Sequence, residues 1–311
     1  MAAQPASPAR ATRRKSSAST CTPDRVLPYF LGCPSWSEPA WRDSLYPDNA
    51  RSADFLPLYA RLFNAVEGNT TFYARPSAQT VARWAKLMPA GFRFCAKLPR
   101  DISHTTDLRE QLAAAQDFLN LLAPLGERCS PLWLQLPASF GPARLGELQY
   151  FVAELGGSLA VEVRHPAFFA KGEEERALNR LLRDLQVERI CLDSRALFSC
   201  QSSDPAVLHA QSKKPRLPPR PAAFTAHPQL RFIGHPELAA NDVFMAPWLD
   251  KVASWIEQGL KPYVFLHTPD NLRAPHLALR FHQLLSERLP GLPALAFPAS
   301  VAEVEQLGLL Y

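Results

Sequence analysis

Polar residues at the ends of short apolar segments are the groups in this chain best suited to chemistry. Each follows a run rich in β-branched or aromatic residues, and Arg164 comes two positions after Glu162, which on a β-strand places both side chains on one face. If the segments are parallel strands of one sheet, their ends converge, and so many charges near one axis require mutual pairing or a ligand. The residues concerned are Glu67, Lys97, Gln135, Glu162, Arg164, Asp193 and His267.

A pair of carboxylates flanked by basic groups is suited to acid–base catalysis when its surroundings drive the two pKa values apart. We therefore predict Glu67, Glu162 and Asp193 as catalytic residues of an enzyme that acts on a polar anionic ligand, such as a sugar phosphate. Lys97 and Arg164 would bind the anionic group of that ligand. Hydrolysis and isomerisation both fit these residue types. At any single position the alternative is a structural ion pair, as between Glu162 and Arg164.

A divalent metal ion is another option at the same strand ends, because the carboxylates and His267 supply oxygen and nitrogen ligands. Lys97 and Arg164 beside them disfavour it, since fixed positive charges repel a cation. The sequence also lacks the HExxH, GxSxG and paired-cysteine patterns of common metal and hydrolase sites. We therefore predict no metal ligand, leave the cofactor unknown, and assign Gln135 and His267 to ligand binding.

Two kinds of segment alternate along the chain and position these residues. Short apolar runs predict strands at 29–33, 64–67, 92–97, 132–135, 159–164, 189–193, 230–234 and 263–267. Segments with helical period predict helices at 52–63, 77–88, 107–123, 143–155, 173–186, 246–258 and 275–289. Apolar strands that alternate with helices indicate parallel pairing, and eight such units predict an α/β protein with a single (β/α)8 TIM barrel. The strand ends would then form the mouth of the barrel.

Two segments fall outside this alternation. Residues 1–25 contain five basic residues against one aspartate, a net charge of +4, and almost no large apolar side chain, which predicts a disordered basic tail. Residues 26–311 form the predicted barrel domain and carry only +1 of the total charge of +5. Between strands six and seven, residues 201–228 are rich in proline and lysine or arginine, and we expect an irregular, protease-sensitive excursion without a clear helix.

The overall composition narrows the class of protein. The chain has 311 residues, of which 47% are hydrophobic and 20% charged, enough for a sizeable core. No long uninterrupted apolar run is present, so we expect a soluble cytoplasmic protein without a membrane partner. Trp36 and Tyr73, in the loops after the first two strands, could stack on a sugar or a nucleobase, or could simply pack over the barrel mouth.

Several motifs, in order along the chain, resemble the YecE-like family, a domain of unknown function numbered 72. They are Gly-Cys-Pro-Ser-Trp at 32–36, Val-Glu-Gly-Asn-Thr-Thr-Phe-Tyr at 66–73, Leu-Gln-Leu-Pro at 134–137 and Glu-Val-Arg-His at 162–165. The resemblance covers residues 28–285 and implies a TIM barrel without an established activity. It adds Asn69 and Thr71 to the expected ligand-binding residues. Where the family commonly has a pair of asparagines after the eighth strand, this chain has His267 and, four residues later, Asn271, which could hold the ligand instead.

Two other functions remain open at this stage. A nucleic-acid-binding or nucleic-acid-processing protein would use the basic tail and the cations of residues 213–220 for phosphates, with aromatic rings stacking on bases. The near-neutral charge of the barrel domain counts against it. A non-catalytic metabolite-binding protein is the third reading, because a fold does not determine a function.

Overall fold

Eight parallel strands form the centre of the fold, in the sheet order β3-β2-β1-β8-β7-β6-β5-β4. The computed structural model describes residues 26–42 and 44–297. The strands are β1 (Phe30–Cys33), β2 (Ala65–Gly68), β3 (Arg93–Ala96), β4 (Leu132–Gln135), β5 (Leu159–Glu162), β6 (Glu188–Asp193), β7 (Gln229–Ile233) and β8 (Tyr263–His267). A parallel bridge between Lys97 and Trp133 joins the two ends of the sheet, so the strands form a nearly closed barrel, as predicted.

Helices lie between the strands and cover the outside of the barrel. They are α1 (Phe55–Tyr59), α2 (Thr70–Tyr73), α3 (Ala78–Leu87), α4 (Arg100–Ser103), α5 (Leu112–Leu122), α6 (Leu145–Leu155), α7 (Glu173–Asp184), α8 (Arg195–Ser199), α9 (Pro205–Lys213), α10 (Asp242–Glu257) and α11 (Ala274–Ser286). Ser77 caps α3 by accepting a hydrogen bond from the backbone N–H of Thr80 at 3.1 Å. No helix of the described residues has the length and apolar character needed to cross a membrane.

The interior of the barrel explains how the strand ends acquire polar side chains. A layer of apolar residues fills the barrel at mid-height, formed by Ala65, Cys95, Trp133, Ala160, Ile190, Tyr263 and Phe265. Because side chains on one strand alternate, the residue two positions later also points inward, one layer closer to the mouth. On five strands that next inward residue is polar: Glu67, Lys97, Gln135, Glu162 and His267. The mouth is therefore built directly on this apolar floor.

Two helix predictions were wrong. Residues 52–63 contain only the short helix α1, and the sixth crossover, expected to lack a helix, contains α8 and α9. The sequence at the start of α9 is typical of a helix N-terminus. The Asp204 side chain accepts a hydrogen bond from Ala206 N–H at 2.7 Å, and Pro205 lies in the first turn. Its buried face consists of Val207 and Ala210, too short a pattern to show helical period. The predicted disordered tail, residues 1–25, lies outside the described residues.

Candidate functional site

Glu67 is the centre of a buried cluster of charged side chains at the carboxyl ends of the strands. Its Oε1 lies 2.7 Å from Lys97 Nζ and 2.7 Å from a terminal nitrogen of Arg231. Its Oε2 accepts hydrogen bonds from Arg231 Nε at 3.0 Å and from His267 Nε2 at 2.7 Å. Both oxygens of this carboxylate are therefore occupied by groups from three other strands or strand ends.

Lys97 connects Glu67 to the loop that follows β2. Its Nζ donates to Asn69 Oδ1 at 2.6 Å and reaches Gln135 Oε1 at 3.5 Å. The ammonium also lies 5.2 Å from the centre of the Trp133 ring in the apolar layer below, a cation–π distance. Lys97 is thus fixed from below and from two sides.

Glu162 binds two arginines, one on its own segment and one across the barrel. Its Oε1 accepts hydrogen bonds from Arg164 Nε at 2.8 Å and from the terminal Nη2 of Arg164 at 2.6 Å. Its Oε2 accepts one from Arg231 at 3.1 Å. The sequence alternative of a Glu162–Arg164 ion pair is therefore present, within a larger network.

Arg231 bridges the two carboxylates and was not among the residues predicted from the sequence. It lies within β7, is almost completely buried, and pairs with both Glu67 and Glu162. The sequence prediction considered polar residues only at strand ends, whereas Arg231 stands between Leu230 and Phe232 inside an apolar run. A charged residue in the interior of such a strand is costly to bury unless it is paired. Its position inside an apolar run could therefore have identified Arg231 as a buried, paired charge.

The pKa values in the cluster differ from the expectation for a catalytic carboxylate pair. Burial alone raises the pKa of Glu67, but Arg231, Lys97 and His267 lower it well below its usual value. For Glu162, Arg164, Arg231 and Lys97 outweigh burial in the same way, and the pKa falls to about 2. The two carboxylates thus shift in the same direction, whereas a general acid and a general base need pKa values that differ. Both carboxylates are ionised because each is surrounded by cations.

Two nitrogen groups of the cluster, Lys97 and His267, shift toward their neutral forms. Burial, followed by the nearby Arg231, lowers the pKa of Lys97 to about 8. Burial lowers the pKa of His267 to about 4, against the opposing effect of Glu67. His267 is therefore a neutral imidazole at pH 7, and its Nε2 carries the proton donated to Glu67.

Asp193 does not join this cluster, although its strand end was expected to converge with the others. Its carboxylate accepts hydrogen bonds from the Arg195 guanidinium at 2.7 Å and from Trp248 Nε1 of α10 at 2.7 Å. On β6 the inward positions are Ile190 and Leu192, so the alternation turns Asp193 toward the outer helices. Asp193 does end its strand, as the sequence indicated. Its position is odd where the inward positions of β6 are even, so its side chain points away from the barrel interior.

Three loop residues that were predicted to bind ligand, Thr71, Tyr73 and Asn271, lie in three different environments. Thr71 is buried, and its hydroxyl accepts from Lys97 N–H at 2.9 Å and donates to the Lys97 carbonyl at 2.7 Å, so it fastens the backbone of Lys97. Tyr73 is 80% exposed and packs edge-on against Phe72. Asn271 has a φ of 64°, and its carbonyl accepts from Trp41 Nε1 at 3.0 Å. Within the described residues, none of these side chains forms a hydrogen bond with Glu67 or Glu162.

Trp36 lines a cavity of about 360 Å³ beside the cluster. Its ring meets that of Trp84 edge-on at 5.4 Å between centroids and lies 5.5 Å from Phe94. Asn69 and Glu67 line the same cavity, so Asn69 both faces the open space and accepts a hydrogen bond from Lys97. A molecule in this cavity would therefore lie between aromatic rings and the charged cluster.

The donor groups do not assemble a metal site. Within residues 26–42 and 44–297, no group of three or more histidine, cysteine, aspartate or glutamate side chains is arranged to hold a metal ion. Glu67 and His267 are adjacent, but the remaining neighbours of Glu67 are the cations Lys97 and Arg231. The arrangement suits the binding of an anion and the transfer of protons.

Comparisons with known proteins match this sequence to a family. Residues 30–300 match the family described as "Protein of unknown function DUF72". The chain is 42% identical over 267 residues to the UPF0759 protein YecE of Escherichia coli strain K12, which covers 85% of this chain and 95% of that protein. The protein of the same name from E. coli O157:H7 gives the same identity and coverage.

Solved structures of the same family share the fold. A DUF72 family protein from Thermotoga maritima MSB8 superposes with a TM-score of 0.61 at 21% identity, covering 83% of this chain and 99% of that chain. One from Enterococcus faecalis V583 gives a TM-score of 0.60 at 19% identity, covering 83% of this chain and 97% of that chain. At these identities the likeness concerns the fold alone.

Proposed function

The chain belongs to the DUF72 family, as its motifs indicated, and we propose that it is an enzyme that acts on a small anionic ligand by acid–base chemistry. The ligand we favour is a sugar phosphate. The proposal is carried by the buried cluster at the barrel mouth, where Lys97, Arg164 and Arg231 surround the carboxylates of Glu67 and Glu162. Three cations against two carboxylates leave an excess positive charge, which attracts an anion into a site with little water.

Arg164 is the cation of the cluster that a ligand reaches first. Its side chain is 17% exposed, whereas those of Lys97 and Arg231 are 2% exposed. It holds Glu162 through Nε and one terminal nitrogen, so the other terminal nitrogen is directed at a phosphate or carboxylate oxygen in our proposal. Glu162 then acts as a positioning residue that orients this guanidinium.

Lys97 is the proton-transfer group in this proposal. Its pKa of about 8 is close to neutral pH, so the ammonium can give up a proton and regain it at little cost. Glu67 and Asn69 orient the ammonium through hydrogen bonds of 2.7 and 2.6 Å. His267, neutral at pH 7, holds Glu67 in turn. Glu67 is therefore a positioning residue rather than the general acid.

The cavity beside the cluster provides room for the rest of the ligand. Its volume of about 360 Å³ falls within the range of small-molecule sites. Trp36 and Trp84 supply ring faces and edges against which a sugar ring packs. Asn69 links this space to Lys97, which supports binding of one molecule across both.

A thermal-shift screen tests the proposal. Sugar phosphates, nucleotides and their unphosphorylated counterparts are added to the full chain, and at least one phosphorylated compound should raise the melting temperature while its counterpart does not. Asn69→Ala should reduce that shift, because Asn69 lines the cavity and contacts Lys97. Asn120→Ala, the same change at an exposed position on α5, is the matched control and should leave the shift unchanged.

Two results would contradict the proposal. One is that no phosphorylated compound stabilises the protein more than its counterpart. The other is a shift that persists at full size in Asn69→Ala, which would place the binding elsewhere. Stabilisation by a ligand that is never chemically changed would favour the non-catalytic metabolite-binding alternative.

The nucleic-acid alternative rests on charge outside the cluster. The net charge of +4 in residues 1–25 favours it. In the segment 213–220, Arg220 pairs with Glu175 and the Arg216 guanidinium lies 5.6 Å from the centre of the Phe198 ring, so these two arginines already have intramolecular partners. Loss of salt-sensitive oligonucleotide binding on removal of residues 1–25 would favour this alternative, because contacts between basic residues and phosphates dominate nucleic-acid affinity and weaken with salt.

A further inference from the structure

Lys214 follows α9 directly and lies at the carboxyl end of the barrel. Its backbone N–H donates to the Ala210 carbonyl at 3.0 Å, which closes the last turn of the helix. The carbonyl of the next residue, Pro215, accepts a hydrogen bond of 2.7 Å from the hydroxyl of Ser194. Ser194 comes directly after β6, so the Lys214 backbone is fastened to the same end of the strands as the charged cluster.

The side chain of Lys214 differs from the other cations near the mouth. It is partly buried and lies within electrostatic range of Glu67, Lys97, Glu162 and Arg231. Within residues 26–42 and 44–297, however, no hydrogen bond or ion pair involves its Nζ, whereas Lys97 and Arg231 each have carboxylate partners. The two carboxylates in range already bind Lys97, Arg164 and Arg231. Lys214 therefore lies within electrostatic range of the cluster without a carboxylate partner of its own among the described residues.

An amine in these surroundings loses its proton readily. Burial first, and then repulsion from Arg231 and Lys97, lower the pKa of Lys214 well below its usual value. A lysine that is desolvated and placed beside other cations is a recognised form of activated nitrogen nucleophile, because the neutral amine has a free electron pair. Lys214 meets both conditions, because it is partly buried and lies within electrostatic range of Arg231 and Lys97.

We propose that Lys214 is the nucleophile of a carbonyl reaction, in which its amine forms an imine with an aldehyde or ketone group of the anionic substrate. This inference rests on the proposed function and specifies its substrate class, a small carbonyl compound that also carries a phosphate or carboxylate. The unpaired Lys214 attacks the carbonyl carbon while Arg164 holds the anion and Lys97 exchanges protons at the oxygen.

The step balances without an oxidant or a reductant. The electron pair of Nζ forms a bond to the carbonyl carbon, and the carbonyl electrons move to the oxygen, which takes a proton. The nitrogen loses its two protons, the oxygen takes a second proton, the carbon–oxygen bond breaks, and one molecule of water leaves. The resulting imine, once protonated, withdraws electrons from the adjacent carbon, which is what an isomerisation or a carbon–carbon cleavage requires.

Pyridoxal 5′-phosphate is a suitable probe, since it combines an aldehyde with a phosphate and its imine absorbs visible light. The full chain is incubated with the probe for short times, reduced with borohydride, and digested for peptide mass spectrometry. Lys214 should be modified about tenfold faster than Lys213, because its lowered pKa enlarges the fraction of neutral amine that can react. Lys213 is the matched control, being the preceding residue and exposed.

Variants provide a second measurement, which does not require the modified lysine to be located by mass spectrometry. Lys214→Arg keeps the positive charge but cannot form an imine, so it should abolish the imine absorbance while the melting temperature stays close to that of the unaltered chain. Lys213→Arg should leave the absorbance unchanged. Equal modification of Lys213 and Lys214, or preferential modification of Lys97, would overturn the proposal.

Pyridoxal without phosphate separates this inference from the proposed function. If Lys214 reacts selectively with both probes and inorganic phosphate gives no protection, Lys214 is an activated amine but the proposed anion site fails. If inorganic phosphate stabilises the protein and Lys214 is not selectively modified, the anion site stands and the Lys214 proposal is overturned.

Discussion

Glu162 binds an arginine through each of its two oxygens. The stability of the folded protein therefore depends on the negative charge of Glu162. Arg231 is almost completely buried and lies 3.1 Å from one oxygen, while Arg164 binds the other. Removing the charge of Glu162 leaves Arg164 without its carboxylate partner and leaves Arg231 with Glu67 alone. Breaking one side of a buried ion pair is strongly destabilising because the remaining charge stays desolvated.

We therefore expect Glu162→Gln to lower the free energy of unfolding by about 3 kcal/mol, measured by urea denaturation. Glu127→Gln makes the same chemical change at an exposed position and should cost less than about 0.5 kcal/mol. If Glu162→Gln is as stable as the control and only ligand response is lost, Glu162 acts on the ligand directly rather than through Arg164.

At the scale of single elements, the pairing of β1 and β2 depends on a glycine. A Cβ atom at Gly32 would lie 2.1 Å from the Ala65 carbonyl oxygen and 2.7 Å from the Ala65 carbonyl carbon. Both are backbone atoms of the neighbouring strand, which carries Glu67 two residues later. Any larger side chain at Gly32 must therefore push the two strands apart.

Gly32→Ala should lower the free energy of unfolding by about 3 kcal/mol, near the upper end for overpacked positions, because backbone cannot move aside as a side chain can. Gly91→Ala is the control, since nothing lies within 4 Å of its added Cβ. Urea denaturation of the two variants compares them directly. Equal stability of both would show that β1 and β2 separate without penalty.

The segment 201–228 is fastened to the barrel by Glu175 on α7. Glu175 Oε1 accepts from Arg220 Nε at 2.9 Å and from Arg189 at 3.3 Å, and Oε2 accepts from Lys171 N–H at 2.8 Å. The sequence indicated an irregular, protease-sensitive excursion; the contacts indicate that its resistance to cleavage depends on this carboxylate.

Glu175→Gln should accelerate trypsin cleavage after Lys213 and Arg216 by about tenfold. A tenfold change corresponds to about 1.4 kcal/mol in the free energy of local opening, comparable to one hydrogen bond to a charged group. Cleavage is followed by mass spectrometry at short times. Glu174→Gln, on the same turn of α7 but exposed, should leave the rate unchanged; acceleration in both variants would assign the effect to the helix instead.

For the whole molecule, the burial of His267 makes stability depend on pH. Its pKa is lowered to about 4 in the folded protein, against about 6.5 in the unfolded chain. Between these values the unfolded chain binds more protons, so the contribution of His267 is fully present above about pH 6.5 and is lost as the pH falls toward 4. Glu188, whose pKa burial raises to about 7, acts in the opposite direction.

His267→Gln isolates this effect, because Glu188 titrates in both proteins. Between about pH 7 and about pH 5, the free energy of unfolding should fall by about 2 kcal/mol more in the unaltered chain than in the variant. Urea denaturation at each pH measures the difference. Parallel pH profiles for the two proteins would contradict a neutral, buried His267.

Local patterns in the sequence account for much of the fold and part of the site. The alternation of apolar runs with helical segments predicted all eight strands, because each run must be covered on both sides. The polar residues that end these runs, such as Glu67, Lys97 and Glu162, were then predicted to converge at the mouth of the barrel. The motifs in the sequence also predicted the family, and the comparisons with known proteins confirmed it.

Only the tertiary structure decided which charges meet. Arg231 reaches Glu67, 164 positions away in the chain, because closure of the barrel brings β7 and β2 to one axis. Asp193 is one residue out of phase and turns outward to Trp248. The backbone of Lys214 reaches the carboxyl end of the barrel because α9 and the hydrogen bond from Ser194 to Pro215 place it there. Sequence period determines the face of a strand that a side chain occupies, but its partner, and therefore its pKa, depends on how distant strands close around it.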